Sequence, residues 1–154
     1  PLMVLGVLDR SIYGFVYNDF LCHTQERACV MTKPTENGYR PFPNSIRHLI
    51  PNFWKYFNFP DLVAALAPRP IILTEGGLDR DLDLVKEAYR LSGHPESVEV
   101  HHYAKFADPQ TRHDFQQLPQ GLDRDTYYRL VNVDGANHYY KNEFVFPWLE
   151  KIGF

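Results

Sequence analysis

The apolar segment PIILTE at residues 70–75, followed directly by two glycines, constrains the fold more than any other part of the sequence. Its apolar residues do not alternate with polar ones, which is typical of a parallel strand covered on both faces. A short helical segment at 61–67 precedes it, with Asp61 as a plausible N-terminal cap. A helical pattern at 81–92, ended by Gly93, follows it. This order of helix, strand and helix predicts one unit of a parallel α/β sheet.

Further predicted elements flank this unit on both sides. Residues 2–8 are apolar without alternation and predict the tail of a buried helix, and residues 12–17 predict a buried strand. Residues 97–103 alternate more and predict a strand nearer the edge of the sheet. Residues 141–152 predict a closing amphipathic helix that Pro147 bends or shortens. We therefore predict an α/β fold with a three-layer partial parallel sheet and right-handed crossovers.

Two long excursions, at residues 20–59 and 104–137, interrupt the alternation of helices and strands. The first includes a candidate short helix at 22–31 and an aromatic stretch that contains Trp54, and the second includes a candidate extra strand at 126–133. Long ordered loops commonly act as lids or substrate-binding walls, and a disordered insertion is the alternative for the first excursion. The aromatic residues, 15% of the chain, either line a pocket or fill the core.

Charge and composition limit the classes of partner. The net charge of −3 provides no basic field for phosphates, so a small molecule is a more plausible partner than nucleic acid. No apolar run approaches the roughly 18 residues of a membrane span, and the N-terminal sequence lacks the pattern of a signal peptide, which leaves the localisation open. Cys22 and Cys29 are too few for a disulfide framework and match no common zinc spacing, even with His23 alongside, so we expect no metal site from them. We also expect no cofactor.

Asp79 and the sequence Asn137-His138-Tyr139 carry the candidate chemistry. Asp79 follows the strand at 70–75, and His138 lies in a turn-rich stretch before the last helix. An acid beyond the carboxyl end of a strand can hold a histidine in the tautomer that a general base needs. The alternatives are that Asp79 only caps the following helix and that His138 is an ordinary surface histidine. No Gly-x-Ser-x-Gly motif occurs in the sequence, so the pair lacks a recognisable serine nucleophile.

The stretch FPDLVAALAPRPIILTEGGLDRD at residues 59–81 resembles the short helix, strand entry and acid-bearing turn of α/β-hydrolases. The resemblance is to the esterase group that includes acetyl xylan esterases and dienelactone-hydrolase-like proteins, and it covers nearly the whole chain. It implies that Asp79 is the acid of a catalytic triad, with Asp19 as a fallback acid, and that His138 is the base. Among the aromatic residues, Trp54 and Tyr139 are those that we expect to contact the substrate.

Residues 1–27 resemble the stretch that follows the nucleophile-bearing turn in this family. On that register residues 1–154 are the C-terminal part of one α/β-hydrolase domain, and the half that bears the serine and the oxyanion hole is absent. The expected function is that of a serine carboxylic-ester hydrolase acting on a small-molecule ester, with this chain inactive alone.

The alternative is a non-catalytic binding or assembly module that uses the aromatic loops. In either case the open sheet edge is expected to pair with the missing half or to self-associate. The sequence that precedes Pro1 would distinguish these cases.

Overall fold

A computed structural model describes residues 2–23, 33–35, 38–40, 53–112, 121, 123 and 136–154 of the chain. In chain order, the helices and strands are α1 (Leu2–Leu8), β1 (Phe15–Tyr17), β2 (Lys33–Thr35), β3 (Gly38–Arg40), α2 (Phe53–Tyr56), α3 (Phe59–Ala64), β4 (Ile71–Leu73), α4 (Asp79–Leu91), β5 (Val98–Val100) and α5 (Asn142–Lys151). Short 3-10 turns lie at Pro95–Ser97, Ala104–Phe106 and Pro109–Arg112.

Strands β1, β4 and β5 form one parallel sheet in the order β1-β4-β5. Ile71 lies opposite Phe15 on one side and Val98 on the other, so the three strands end at the same level. All three residues of β4 are buried, whereas β5 is only partly buried. The predicted parallel α/β fold is confirmed, with the strand at 71–73 in its centre.

The two faces of the sheet bury different helices. The main core lies on the face of the sheet that packs against α1, α3 and α4. Four strand side chains point to this face: Phe15, Tyr17, Ile71 and Leu73. Because side chains alternate along a strand, Ile72 points to the opposite face together with its register partner Glu99. Helix α5 covers that second face: Lys151 Nζ lies 2.8 Å from Glu99 Oε2, and Phe144 stacks on His101. The result is the predicted three-layer arrangement.

The start of α3 differs in detail from the prediction. Asn58, not Asp61, is the N-cap residue, and its side chain accepts a hydrogen bond from Phe59 N. Asp61 is the third helical residue, and its carboxylate accepts a 2.6 Å hydrogen bond from Asn58 N in a capping box. Pro60 is tolerated in this first turn because its missing N–H group would have no partner within the helix.

Arg69, just before β4, connects the first helix to the sheet through hydrogen bonds. Its guanidinium donates to the carbonyl oxygens of Gly6, Asp9 and Ile12 at 2.6, 3.1 and 3.2 Å. The buried hydroxyl of Tyr89 donates to Arg69 O at 2.6 Å, and burial raises the pKa of that phenol. The bonds from Arg69 satisfy the carbonyl of Gly6 in the last turn of α1 and two carbonyls of the segment that connects α1 to β1.

The first excursion contains regular structure that the sequence did not predict. Strands β2 and β3 form an antiparallel hairpin with Lys33 opposite Arg40, and α2 precedes α3 directly. Most of the predicted helix at 22–31 lies outside the described residues. The predicted strand at 126–133 lies entirely outside them. The closing helix was expected at 141–152, and α5 continues through Pro147. None of the helices in the described ranges is long and apolar enough to span a membrane.

Candidate functional site

The candidate site lies at the carboxyl ends of the three parallel strands, where polar residues follow each strand. Asn18 and Asp19 follow β1, and Thr74 and Glu75 follow β4. Thr74 Oγ1 donates a 2.7 Å hydrogen bond to Asn18 Oδ1, and Thr74 N donates to Tyr17 O at 3.1 Å. These bonds extend the pairing of β1 and β4 by one residue and hold the two strand ends side by side.

Two glycines turn the chain immediately after Glu75. Gly76 has a φ of +75°, and a Cβ atom there would overlap His102 Nδ1. A Cβ at Gly77 would lie 2.7 Å from the Cβ of Leu21, whose N–H bonds Gly76 O at 2.9 Å. Glycine is therefore required at position 76 by its backbone conformation and at both positions by close packing. The turn fixes Glu75 as the last side chain at the end of the central strand.

His138 is hydrogen-bonded to Glu75. Its Nδ1 lies 2.9 Å from Glu75 Oε2 and 3.1 Å from Oε1. The Glu75 side chain is fully buried, whereas the His138 side chain is 51% exposed. A carboxylate can only accept hydrogen bonds, so Nδ1 carries the proton and Nε2 keeps its lone pair in neutral imidazole. An imidazole oriented in this way by a buried carboxylate has the geometry that a general base needs.

Lys141 is the second partner of the Glu75 carboxylate. Its side chain is only 2% exposed, and Nζ lies 2.8 Å from Glu75 Oε1. The same ammonium donates to Asn137 O at 2.6 Å and to Tyr139 O at 2.9 Å. A buried charge is tolerated when it is paired and its hydrogen bonds are satisfied, and both conditions hold for Lys141 and Glu75.

Asp79 lies elsewhere in the site. It is the first residue of α4, and its Oδ1 accepts a 2.9 Å hydrogen bond from Arg112 Nε. Arg112 also donates to Phe106 O at 2.7 Å. No hydrogen bond or ion pair joins Asp79 to His138, although both belong to the described part of the chain. The physical reason is that the glycine turn and Leu78 carry the chain away from the strand end before Asp79 is reached.

Asp19 lies beside the pair. One ligand-type atom from each of Asp19, Glu75 and His138 lies within 4.8 Å of the other two. Carboxylates with an imidazole can bind a divalent ion. Lys141 already places a positive charge 2.8 Å from Glu75 Oε1, which opposes the binding of a second cation there. The fallback acid of the sequence analysis is therefore close to His138, and the cluster does not favour a metal.

Of the two residues expected to bind substrate, Tyr139 is adjacent to the base. Its ring is half exposed, and Lys141 Nζ lies 4.1 Å from the ring centroid. The hydrogen bond from Tyr139 Oη to Glu143, together with the negative charge of Glu143, raises the pKa of the phenol. Trp54 lies in α2, and its side chain is outside the described structure. Substrate contact by either residue stays a prediction.

His102, at the end of β5, is packed under the glycine turn. Its Nδ1 is buried and has no hydrogen-bond partner among the described residues. Burial lowers the pKa of His102, and the positive charge of Arg112 lowers it further, while Asp79 acts in the opposite direction. The imidazole therefore favours its neutral form and fills space behind Gly76.

Sequence reasoning missed Glu75 and Lys141. The apolar pattern places Glu75 as the last residue of the strand, and a single acid just before Gly76-Gly77 marks the end of that strand. The sequence pattern places Lys141 as the first residue of the closing helix. A lysine is almost never fully buried unless it is paired, so its type alone did not indicate a place in the site.

Comparisons with known proteins agree with the observed fold. The model of the Abhydrolase family matches residues 1–151. A crystal structure of a Bacteroides fragilis NCTC 9343 protein, described as a candidate acetyl xylan esterase, is 71% identical and superposes with a TM-score of 0.80. The match covers 99% of this chain and 39% of that one, so this chain spans well under half the length of that protein. No curated protein matches the chain significantly.

The parallel sheet and the match over residues 1–151 agree with the resemblance predicted from the sequence. The chain belongs to the Abhydrolase family of α/β-hydrolases.

Proposed function

We propose that the protein containing this chain is a serine carboxylic-ester hydrolase in which His138 is the general base and Glu75 is the acid that orients it. One observation carries the proposal: His138 Nδ1 lies 2.9 Å from a fully buried carboxylate at the end of the central strand. An exposed imidazole held in this way has Nε2 available for a serine hydroxyl.

Glu75 replaces Asp79 in this proposal because of their partners. Asp79 is hydrogen-bonded to Arg112, whereas Glu75 is hydrogen-bonded to His138. Asp19 is the second candidate acid because it belongs to the same group of closely spaced side chains. We favour Glu75 over Asp19 because its carboxylate both contacts Nδ1 directly and is fully buried, which keeps the hydrogen bond away from water.

The nucleophile of the proposed enzyme lies outside residues 1–154. The chain has no Gly-x-Ser-x-Gly motif, and the Bacteroides fragilis protein is much longer than this chain. In the proposed reaction the serine oxygen attacks the acyl carbon of the ester while His138 Nε2 takes the serine proton. The alkoxide then leaves with that proton, and water releases the acyl group from the serine in the same way, which regenerates the enzyme.

The substrate class follows from the structural neighbour. Since the Bacteroides fragilis protein is described as a candidate acetyl xylan esterase, we propose that the substrate is an acetyl ester of a carbohydrate. The half-exposed ring of Tyr139, next to the base, is then suited to pack against the alcohol part of the substrate.

The test uses the full gene product that contains this chain, with any upstream sequence included. The protein is assayed for hydrolysis of p-nitrophenyl acetate and of acetylated xylan, and for labelling by a fluorophosphonate, which reacts with activated serines. We expect activity and labelling, with a loss of kcat on the order of 10⁴-fold or more in the His138→Ala variant.

His94→Ala is the matched control because His94 also lies near a glutamate, at 3.2 Å from Glu96, but on an exposed turn away from the strand ends. It should keep wild-type activity. Hydrolysis and labelling that His138→Ala leaves unchanged would contradict the proposal. The absence of both activities in the folded wild-type protein would favour a non-catalytic binding module.

A further inference from the structure

The ammonium group of Lys141 is hydrogen-bonded to the backbone on both sides of His138. His138 lies between Asn137 and Tyr139 in the chain, and Lys141 Nζ donates to the carbonyl oxygens of both neighbours, at 2.6 and 2.9 Å. Its third hydrogen bond goes to Glu75 Oε1. An ammonium group has three protons, so all of its donors are used. One buried cation thus links the acid to the two residues that flank the base.

The two oxygens of Glu75 have different roles in this arrangement. Lys141 lies 2.8 Å from Oε1, and the shorter bond of His138, at 2.9 Å, goes to Oε2. Because an ammonium can only donate hydrogen bonds, the atom that faces Lys141 must be an acceptor. Lys141 therefore bonds Oε1, and Oε2 is the nearer oxygen to the imidazole, whose Nδ1 also lies 3.1 Å from Oε1.

We infer that Lys141 is a positioning residue for His138: it anchors the loop at 137–139 on Glu75 and determines which side-chain atom of residue 75 faces the base. The inference rests on the proposed pairing of Glu75 with His138 as acid and base. Nothing in it requires Lys141 to touch substrate. In the wild-type protein the two carboxylate oxygens are chemically equal, so this selection becomes visible only when residue 75 carries two different atoms.

The Glu75→Gln variant makes the two atoms different. The amide oxygen must face Lys141, so the NH₂ group must face His138 Nδ1 and donate to it. Nδ1 then becomes an acceptor, and the proton of the neutral imidazole moves to Nε2. Adding Lys141→Met removes this constraint. The carbonyls of Asn137 and Tyr139 lose their donor, and the amide can turn so that its NH₂ group faces their side and its oxygen again accepts from Nδ1–H.

The experiment measures the tautomer of neutral His138 by ¹⁵N NMR in the protein containing this chain, with the resonance assigned from a His138 variant. We expect Nδ1–H in the wild type, Nε2–H in Glu75→Gln, and a return to Nδ1–H in Glu75→Gln/Lys141→Met. In that double variant residue 75 is neutral, so the loss of Lys141 does not leave a buried carboxylate unpaired.

Two further double variants in the Glu75→Gln background complete the test. Lys141→Arg keeps a group that only donates, so the tautomer should stay Nε2–H. Lys151→Met is the matched control because Lys151, on an exposed part of α5, pairs with Glu99 and not with Glu75. The tautomer should again stay Nε2–H.

The inference is overturned if Glu75→Gln/Lys141→Met keeps the Nε2–H tautomer, or if folded Glu75→Gln/Lys141→Arg shows Nδ1–H. Purely structural support by Lys141 would add to the loss of stability without reversing the tautomer. The readout is independent of ester hydrolysis, so failure of the proposed activity and failure of this inference are separate results.

Discussion

The buried pair of Lys141 and Glu75 predicts a large and specific loss of stability in the Lys141→Met variant. Glu75 is fully buried, and Lys141 supplies one hydrogen bond to it and two to backbone carbonyls. Removing one partner of a buried ion pair leaves an uncompensated charge and typically costs about 3–5 kcal/mol. We expect the free energy of unfolding to fall by about that amount, measured by urea unfolding followed by fluorescence and circular dichroism.

Lys151→Met is the control for this measurement. Lys151 is the last residue of α5, whereas Lys141 is the N-cap residue of that helix. Lys151 also binds a glutamate at 2.8 Å, but its side chain is 58% exposed. Exposed ion pairs contribute about 0–1 kcal/mol, so this variant should unfold close to the wild type. In addition, Glu75→Gln combined with Lys141→Met should be less destabilised than the sum of the two single variants, because the charge left unpaired by Lys141→Met is then absent. If Lys141→Met and Lys151→Met lose stability equally, by less than about 1 kcal/mol, the argument from burial is refuted.

Three further predictions concern the supporting structure. Gly76→Ala should lower the free energy of unfolding by at least about 1 kcal/mol in urea titrations, because the residue has positive φ and its Cβ would overlap His102; unchanged stability would contradict this. Arg69→Met should destabilise the fold by about 1.5–3 kcal/mol through the loss of its bonds to carbonyls, and a thermal midpoint equal to that of the wild type would be inconsistent with that role. Burial, and then the charges of Arg112, Lys86 and His101, lower the pKa of His102, with Asp79 opposing them. The stability that neutral His102 contributes is therefore complete above pH 6.5 and is lost as the pH falls through the folded-state pKa. In the His102→Phe variant the free energy of unfolding should consequently depend less on pH below 6.5 than it does in the wild type.

The sheet and its helices could be predicted because their signals are local. The apolar run at 70–75, the helical repeat at 81–92, and the proline and glycine boundaries are each recognisable without reference to the rest of the chain. The parallel order then follows from the alternation of strands and helices. The hairpin β2–β3 was missed because its strands have only three residues each and include Pro34 and Gly38, which are poor strand formers.

The contacts of the site depend on tertiary structure, and the sequence indicated them only in part. His138 was identified from its position in a loop before the last helix. Its partner depended on where β4 ends: Glu75 is at the strand end, and Asp79, four residues later, has already entered α4. Asp79 is also favoured in the first turn of a helix, where the helix dipole stabilises a negative charge. A pattern of residue types cannot distinguish these two positions without the path of the intervening turn.

The activity of the Glu75→Gln variant, compared with that of Asp79→Asn, tests the central claim most directly. Both substitutions replace a carboxylate by an amide, but only Glu75 is hydrogen-bonded to His138. Measured as kcat/KM for p-nitrophenyl acetate in the full gene product, Glu75→Gln should lose on the order of 10³- to 10⁴-fold, as expected when a triad histidine is held in the wrong tautomer. Asp79→Asn should stay within roughly 10-fold of the wild type, since it removes a partly exposed ion pair with Arg112. A severe loss in Asp79→Asn with little change in Glu75→Gln would contradict the account.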